Sequence, residues 1–262
     1  MASYLVTGAA RGIGLEFVAQ LSADPNNTVF ALVRNKATAS RLESLPGINI
    51  MVLEADVTDP KALENAAKEV SNATGGKLDY LINNAALLNL AGPDLNHFTS
   101  PDELEKDLVD HFRVNTVGPA HCINAFLPLL RKGSAKKVIT ISTGGADTDI
   151  AVKLSWTTAP GYAISKAAVN MLVAKYAAQF KSEGFVFLAL SPGFVDTTTA
   201  PLTPEMVEVY KGFHEKIIQL WPDFKRPMTP QESVKLQLDV IHRWTVEDTG
   251  AFVSPHGNKE WF

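Results

Sequence analysis

Three observations predict a three-layer α/β/α domain built on a doubly wound, seven-stranded, mainly parallel sheet. Short apolar runs rich in β-branched and aromatic residues alternate along the whole chain with helix-length amphipathic stretches. The first of these runs leads directly into a glycine-rich turn and a helix. The 262 residues, 46% hydrophobic and 20% charged, also suffice for one large domain with a sizeable core. Strands joined through helices lie parallel by right-handed crossovers, which puts helices on both faces of the sheet.

Taken in order, strands are expected at 4–7, 29–33, 48–53, 78–83, 137–142, 185–191 and 251–254. Helices are expected at about 13–22, 37–44, 60–73, 102–130, 161–182 and 230–243. Asp59-Pro60 supplies an N-cap and a first-turn proline, and Thr229-Pro230 repeats the arrangement before the last helix. Glycines 75, 76 and 184 stop the helices that precede them. Residues 144–160 and 194–226 fit no sheet-building unit. Each reads as a loop at the carboxyl edge of the sheet, where open α/β folds bind ligands, with 194–226 as a substrate lid.

Composition narrows the function. A net charge of -4 offers no basic field for a nucleic acid, so the expected partner is a small molecule. Cys122 is the single cysteine, and His97, His111, His121, His214, His242 and His256 form no metal-binding motif, so no metal is expected. A strand-like run from Tyr4 leaves no room for a signal peptide, and no apolar run approaches the ~20 residues of a membrane span. The expectation is a soluble, cytoplasmic protein.

The first strand ends in Thr7-Gly8-Ala9-Ala10-Arg11-Gly12-Ile13-Gly14. Gly8 suits a tight turn, Gly12 lets backbone approach a pyrophosphate, and Gly14 lets the helix sit close to the strand, with its N-terminus toward the phosphates. This is a Rossmann-type dinucleotide site, although an ordinary tight turn has the same glycines. No Lys-Ser/Thr follows them, which argues against a P-loop. Strand two ends at Arg34, where an NAD-binding protein usually carries an acidic residue. Its guanidinium suits a 2′-phosphate and Arg11 adds a second cation, so NADP(H) is the expected cofactor.

Tyr162 and Lys166 stand at i and i+4 at the start of a predicted helix, on one face. A fixed cation favours phenolate, so the pair is expected to lower the tyrosine's pKa from ~10 and make it a general acid/base.

These pieces occur together in one order: Thr7-Gly8-x-x-x-Gly12-Ile13-Gly14, Asp56-Val57, Asn83-Asn84-Ala85-Ala86, Asn115, Ile141-Ser142-Thr143, Tyr162-x-x-x-Lys166 and Ser191-Pro192-Gly193-Phe194-Val195-Asp196-Thr197. The chain resembles the classical short-chain dehydrogenase/reductases along nearly its whole length, in their fungal-type, carbonyl-reductase-like form. The resemblance implies that Asp56 and Val57 border the adenine and that Asn83, Asn84 and Ala85 line the adenosine side. Pro192, Gly193, Val195 and Thr197 would meet the carboxamide and phosphate region, and Lys166 would hold the nicotinamide ribose. It implies hydride transfer between cofactor and a carbonyl, with Tyr162 passing the proton, a strand-five hydroxyl bonding the oxygen, and Asn115 holding a water beside Lys166.

Two departures stand out, with a third, smaller one. The family's usual Ser-Ser pair is here Ser142-Thr143; residue type favours the first hydroxyl and register the second. Residues 144–160 separate that pair from Tyr162 by more than the usual spacing, and Asn-Asn-Ala-Ala replaces the commoner Asn-Asn-Ala-Gly. Leu154, Trp156, Phe194, Met206, Phe213, Leu220 and Trp221 are candidates to line an apolar substrate pocket, or simply to pack the lid. An apolar or aromatic carbonyl compound, including a secondary metabolite, is the expected substrate. Imine reduction, a non-redox reaction or a silent NADP-binding sensor are the competing readings. The long helices around Asn115 and Lys166 resemble a family subunit interface, which implies a homodimer or homotetramer; monomeric relatives with an extra insertion after strand five are the alternative.

Overall fold

A computed structural model of the chain describes residues 2–90, 92–198 and 203–261. Its sheet has seven strands, all parallel, in the order β3-β2-β1-β4-β5-β6-β7. The strands are β1 (Ser3–Thr7), β2 (Thr28–Val33), β3 (Ile50–Glu54), β4 (Tyr80–Asn83), β5 (Lys137–Ile141), β6 (Val186–Leu190) and β7 (Phe252–Val253). The predicted doubly wound fold is therefore present. The direction of winding reverses at β1, which pairs with β2 on one side and β4 on the other; this opens a crevice above their carboxyl ends.

The helices are α1 (Gly12–Ser22), α2 (Ser40–Glu43), α3 (Pro60–Thr74), α4 (Pro101–Phe112), α5 (Gly118–Leu130), α6 (Thr148–Lys153), α7 (Pro160–Phe180), α8 (Pro204–Leu220) and α9 (Pro230–Arg243). Two cores result, one on each face of the sheet. Phe30, Leu81 and Phe187 point into one and meet α3, α5 and α7 through Leu63, Phe126 and Val173. Val6, Ala31 and Ile139 point into the other and meet α1 and α9 through Phe17 and Val240. Nearly continuous burial along β1, β2 and β6 is what a parallel sheet covered on both faces requires.

The predicted caps form. The Asp59 side chain accepts from the N–H groups of Lys61 and Ala62, and Thr229 closes a capping box with Glu232. Several boundaries differ from expectation. The predicted 37–44 helix is a 3-10 turn, Lys36–Thr38, followed by the single turn of α2. Ile48 is 98% exposed, so β3 begins two residues later than predicted. The predicted 102–130 helix is interrupted by a π turn, Arg113–Val117, which widens the helix beside Asn115.

The two stretches without a sheet-building pattern do contain helices. Residues 144–160 hold α6, and just before α7 Ala159 takes a left-handed φ of 55°, rare for a residue with a side chain. Residues 194–226 hold α8, although positions 199–202 lie outside the described residues. The segment is fastened at both feet. Val195 bridges Met228, the Asp196 N–H donates to the Met228 carbonyl at 2.9 Å, and the Met228 N–H donates to the Phe194 carbonyl at 2.8 Å.

Candidate active site

The glycine turn between β1 and α1 is shaped by backbone contact. A Cβ on Gly8 would lie 2.8 Å from the Ala85 Cα, and one on Gly14 would overlap the Gly8 carbonyl and come within 2.5 Å of the Asn84 amide nitrogen. Gly8 and Gly12 also have left-handed φ values of 67° and 56°. Asn84 and Ala85 fasten the turn to β4. Both donate their N–H groups to the Thr7 hydroxyl at 3.0 Å, and the Asn84 side chain donates to the Thr7 carbonyl at 3.0 Å. Among the described residues no side chain caps the α1 N-terminus, which leaves its N–H groups available to an anion.

Arg11 and Arg34 flank this turn, both exposed, and neither guanidinium is held in an ion pair among the described residues. Arg34 is close enough to influence Asp56. Burial pushes that carboxyl up, but hydrogen bonds from the Thr58 N–H and hydroxyl and the charges of Arg34 and Arg113 bring it below its usual range. Val57 packs against Gly118, where a Cβ would be 3.0 Å from the valine. Asn83 behaves differently from its neighbours. Its side chain is buried between β4 and β5, 3.4 Å from the Thr140 hydroxyl, and its Oδ1 has no partner among the described residues. These residues suit a dinucleotide: a cradle that side chains would fill, a free helix N-terminus and two unpaired cations.

At the other end of the crevice, Thr143 and Tyr162 line a cavity of about 350 Å³ together with Ile13 of the glycine turn and Pro192, Gly193, Val195 and Thr197 after β6. The two hydroxyls of the Ser142-Thr143 pair separate here. Ser142 points to the α7 side of the sheet, is 1% exposed, and donates to the Asn170 Oδ1 at 2.6 Å. Thr143 lies past the end of β5, accepts from the Gly145 N–H at 3.2 Å, and lines the cavity beside Tyr162, near enough to act on its phenol. Alternation along the strand thus puts the second hydroxyl at the cavity.

Lys166 is 2% exposed, with Nζ donating to the Ile141 carbonyl at 2.6 Å and lying 5.9 Å from the Tyr162 ring centroid. The expected lowering of the tyrosine pKa is not found. Burial pushes the phenol up to about 12, with the neighbouring Thr143 side chain acting in the other direction. Burial also brings Lys166 down to about 8. Exclusion from water disfavours both charged forms and outweighs the effect of one on the other.

Asn115 lies in the π turn, fully buried. Its Oδ1 accepts from the Leu87 N–H at 2.7 Å, and its amide nitrogen donates to the Leu87 carbonyl and the Ser165 hydroxyl, both at 2.9 Å. Both amide hydrogens are committed to protein partners, so the side chain ties the segment after β4 to α7.

Of the predicted lining residues, Leu154, Trp156, Phe194 and Phe213 face the cavity. Met206, Leu220 and Trp221 do not; Leu220 is exposed and Trp221 packs in the aromatic cluster around Ile217. The sequence reading missed Tyr210, Lys216 and Trp261, which do line it. Gly144 and Gly145 make room for two indoles. A Cβ on Gly145 would overlap Trp156, and one on Gly144 would be 3.1 Å from Trp261. Nothing local in the sequence couples residue 261 to residue 144.

The short chain dehydrogenase family model matches residues 3–207. Short chain dehydrogenase virK of Hypocrea virens is 45% identical across the whole of both chains, and short-chain dehydrogenase/reductase AacuF of Aspergillus aculeatus is 48% identical, again over both full lengths. Among solved structures, the NADPH-bound carbonyl reductase from chicken fatty liver superposes with a TM-score of 0.79 at 30% identity over 98% of each chain. No helix among the described residues is long and apolar enough to cross a membrane.

Proposed function

The chain belongs to the short-chain dehydrogenase/reductase family of oxidoreductases, and from that premise we propose that it is an NADP(H)-dependent reductase of an apolar or aromatic carbonyl compound. The carrying observation is that Tyr162 and Thr143 stand together on the wall of an apolar cavity that also touches the glycine turn. NADP(H) would lie across Gly8, Gly12 and Gly14, with its 2′-phosphate between Arg34 and Arg11 and its nicotinamide end beside Pro192, Gly193, Val195 and Thr197. When bound, it supplies the hydride.

The chain's own residues handle the oxygen. Tyr162, held neutral by burial, is the proton donor to the carbonyl oxygen, and Thr143 bonds that oxygen as charge develops on it. The phenolate left behind is stabilised by the Lys166 ammonium. Ser142 stands outside this set, and Asn115 serves by fixing the segment after β4. Trp156, Phe194, Phe213 and Trp261 give the cavity its apolar walls, and exclude water from the proton transfer. Residues 194–226 act as the lid of a single domain working in the cytoplasm. The exposed apolar side chains Val109 and Phe112 on α4 and Ile164 and Met171 on α7 support a homodimer or homotetramer along those helices.

The test is oxidation of NADPH, followed by absorbance, against panels of ketones, imines and alkenes. Ketone-dependent turnover is expected, with Tyr162→Phe reducing it by roughly 10²- to 10⁴-fold while NADPH still binds. Turnover confined to imines, or a fully active Tyr162→Phe enzyme, would overturn the assignment.

A further inference from the structure

Helix α7 meets strand β5 along a polar seam. Tyr162, Lys166 and Asn170 stand at i, i+4 and i+8, one above another on the helix. Tyr162 meets the Thr143 side chain, Lys166 meets the Ile141 carbonyl at 2.6 Å, and Asn170 accepts from the Ser142 hydroxyl at 2.6 Å. The three contacts differ in stiffness. A lysine ammonium sits on four flexible carbons and follows its acceptor over a wide range of helix positions. Tyr162 has a reactive partner and has to stay free to exchange a proton. Ser142 and Asn170 have one and two side-chain torsions, and neither is used by the chemistry.

Resting on the reading above, we propose that Asn170 is a positioning residue: its bond to Ser142 sets the depth of α7 against β5 and so holds Tyr162 against Thr143. A one-residue slip of an α-helix moves each side chain by about 1.5 Å and turns it by about 100°. Misplacement of a catalytic group by about 1 Å costs roughly 10²-fold in rate. The Ser142 hydroxyl is buried, so losing its acceptor leaves an unpaired donor, which α7 or β5 then shifts to satisfy. The pair explains why Ser142 is a hydroxyl residue although it faces away from the cavity.

Two nearly isosteric variants test this. Asn170→Leu removes the acceptor, whereas Asn170→Asp retains it. Asn170→Leu is expected to lower kcat for ketone reduction roughly 10- to 100-fold with KM for ketone and NADPH within twofold. Asn170→Asp should stay within about threefold of wild type in kcat, and Ser142→Ala combined with Asn170→Leu should be no slower than Asn170→Leu alone. An activity-independent readout is the ¹³Cζ resonance of Tyr162, assigned through Tyr162→Phe. It should shift in Asn170→Leu and stay in place in Asn170→Asp. An unmoved resonance in Asn170→Leu overturns the positioning role even if no ketone is ever turned over; a shifted resonance in a chain inactive on every carbonyl leaves it standing and overturns the reductase assignment alone. Equal losses of kcat and Tm in both isosteric variants would also overturn it, by showing that residue 170 serves packing only.

Discussion

The cofactor end and the substrate end of the crevice are built from different materials. Around β1 and β4 the surfaces are backbone: glycines 8 and 14 lie against main-chain atoms, and Asn84 ties the turn down through main-chain groups. Around residues 144–160 and 194–226 the surfaces are large side chains, with Trp156 and Trp261 filling the room above Gly145 and Gly144. Backbone packed on backbone tolerates no added atom, whether the partner is the nearby Gly8 carbonyl or the distant Ala85. A wall of side chains is dictated by distant partners, and a neighbour can shift to accommodate a change.

The largest effect that would test this contrast is Gly14→Ala. A methyl there overlaps the Gly8 carbonyl, which cannot rotate away, so α1 has to move. Overpacking of this kind costs about 3 kcal/mol, a Tm loss of roughly 6–12 °C by thermal melt, together with loss of NADPH binding. Retention of both would mean the turn is not rigid. Gly145→Ala probes the other end, where the methyl overlaps the Trp156 ring. The expected outcome is a roughly tenfold rise in KM for bulky ketones with NADPH affinity unchanged in fluorescence titration; weakened NADPH binding would erase the distinction between the two ends.

Arg34→Asp sharpens the comparison within the cofactor end. Loss of a charge-assisted contact and gain of a like charge should weaken NADPH by roughly 10- to 100-fold and favour NADH. An unchanged ratio of the two dissociation constants would remove Arg34 from the site. A smaller effect concerns pH. Lys166 is charged below about 8 and neutral above it, while Tyr162, near 12, keeps its proton throughout. The kcat/KM for reduction should therefore fall as pH rises through about 8, and a flat profile to pH 10 would count against Lys166 as the charge that stabilises the phenolate.

The same contrast governs how much could be read in advance. The glycine spacing, Tyr162 and Lys166, and the Asp59-Pro60 and Thr229-Pro230 caps are local patterns, and the fold follows from their order. The choice between Ser142 and Thr143 needed the side of β5 that α7 covers. Trp261 enters the cavity from the far end of the chain through contact with Gly144, which no local pattern encodes. The phenol's shift depended on how completely the fold excludes water, and two residues four apart say nothing of that.

The bridge between Val195 and Met228 has a consequence for how such a protein diversifies. Departure from the scaffold and return to it occur at one bridge, where Met228 bonds to Phe194 and Asp196 on either side of Val195, so the intervening stretch is an exchangeable cassette. Its length can change while the strands beneath keep their register, provided a replacement retains the side chain that Ile217 buries against Ile150, Leu154 and Trp261. A chimera carrying another segment between those two points should inherit the donor's preference among ketones and retain this chain's preference among nicotinamide cofactors.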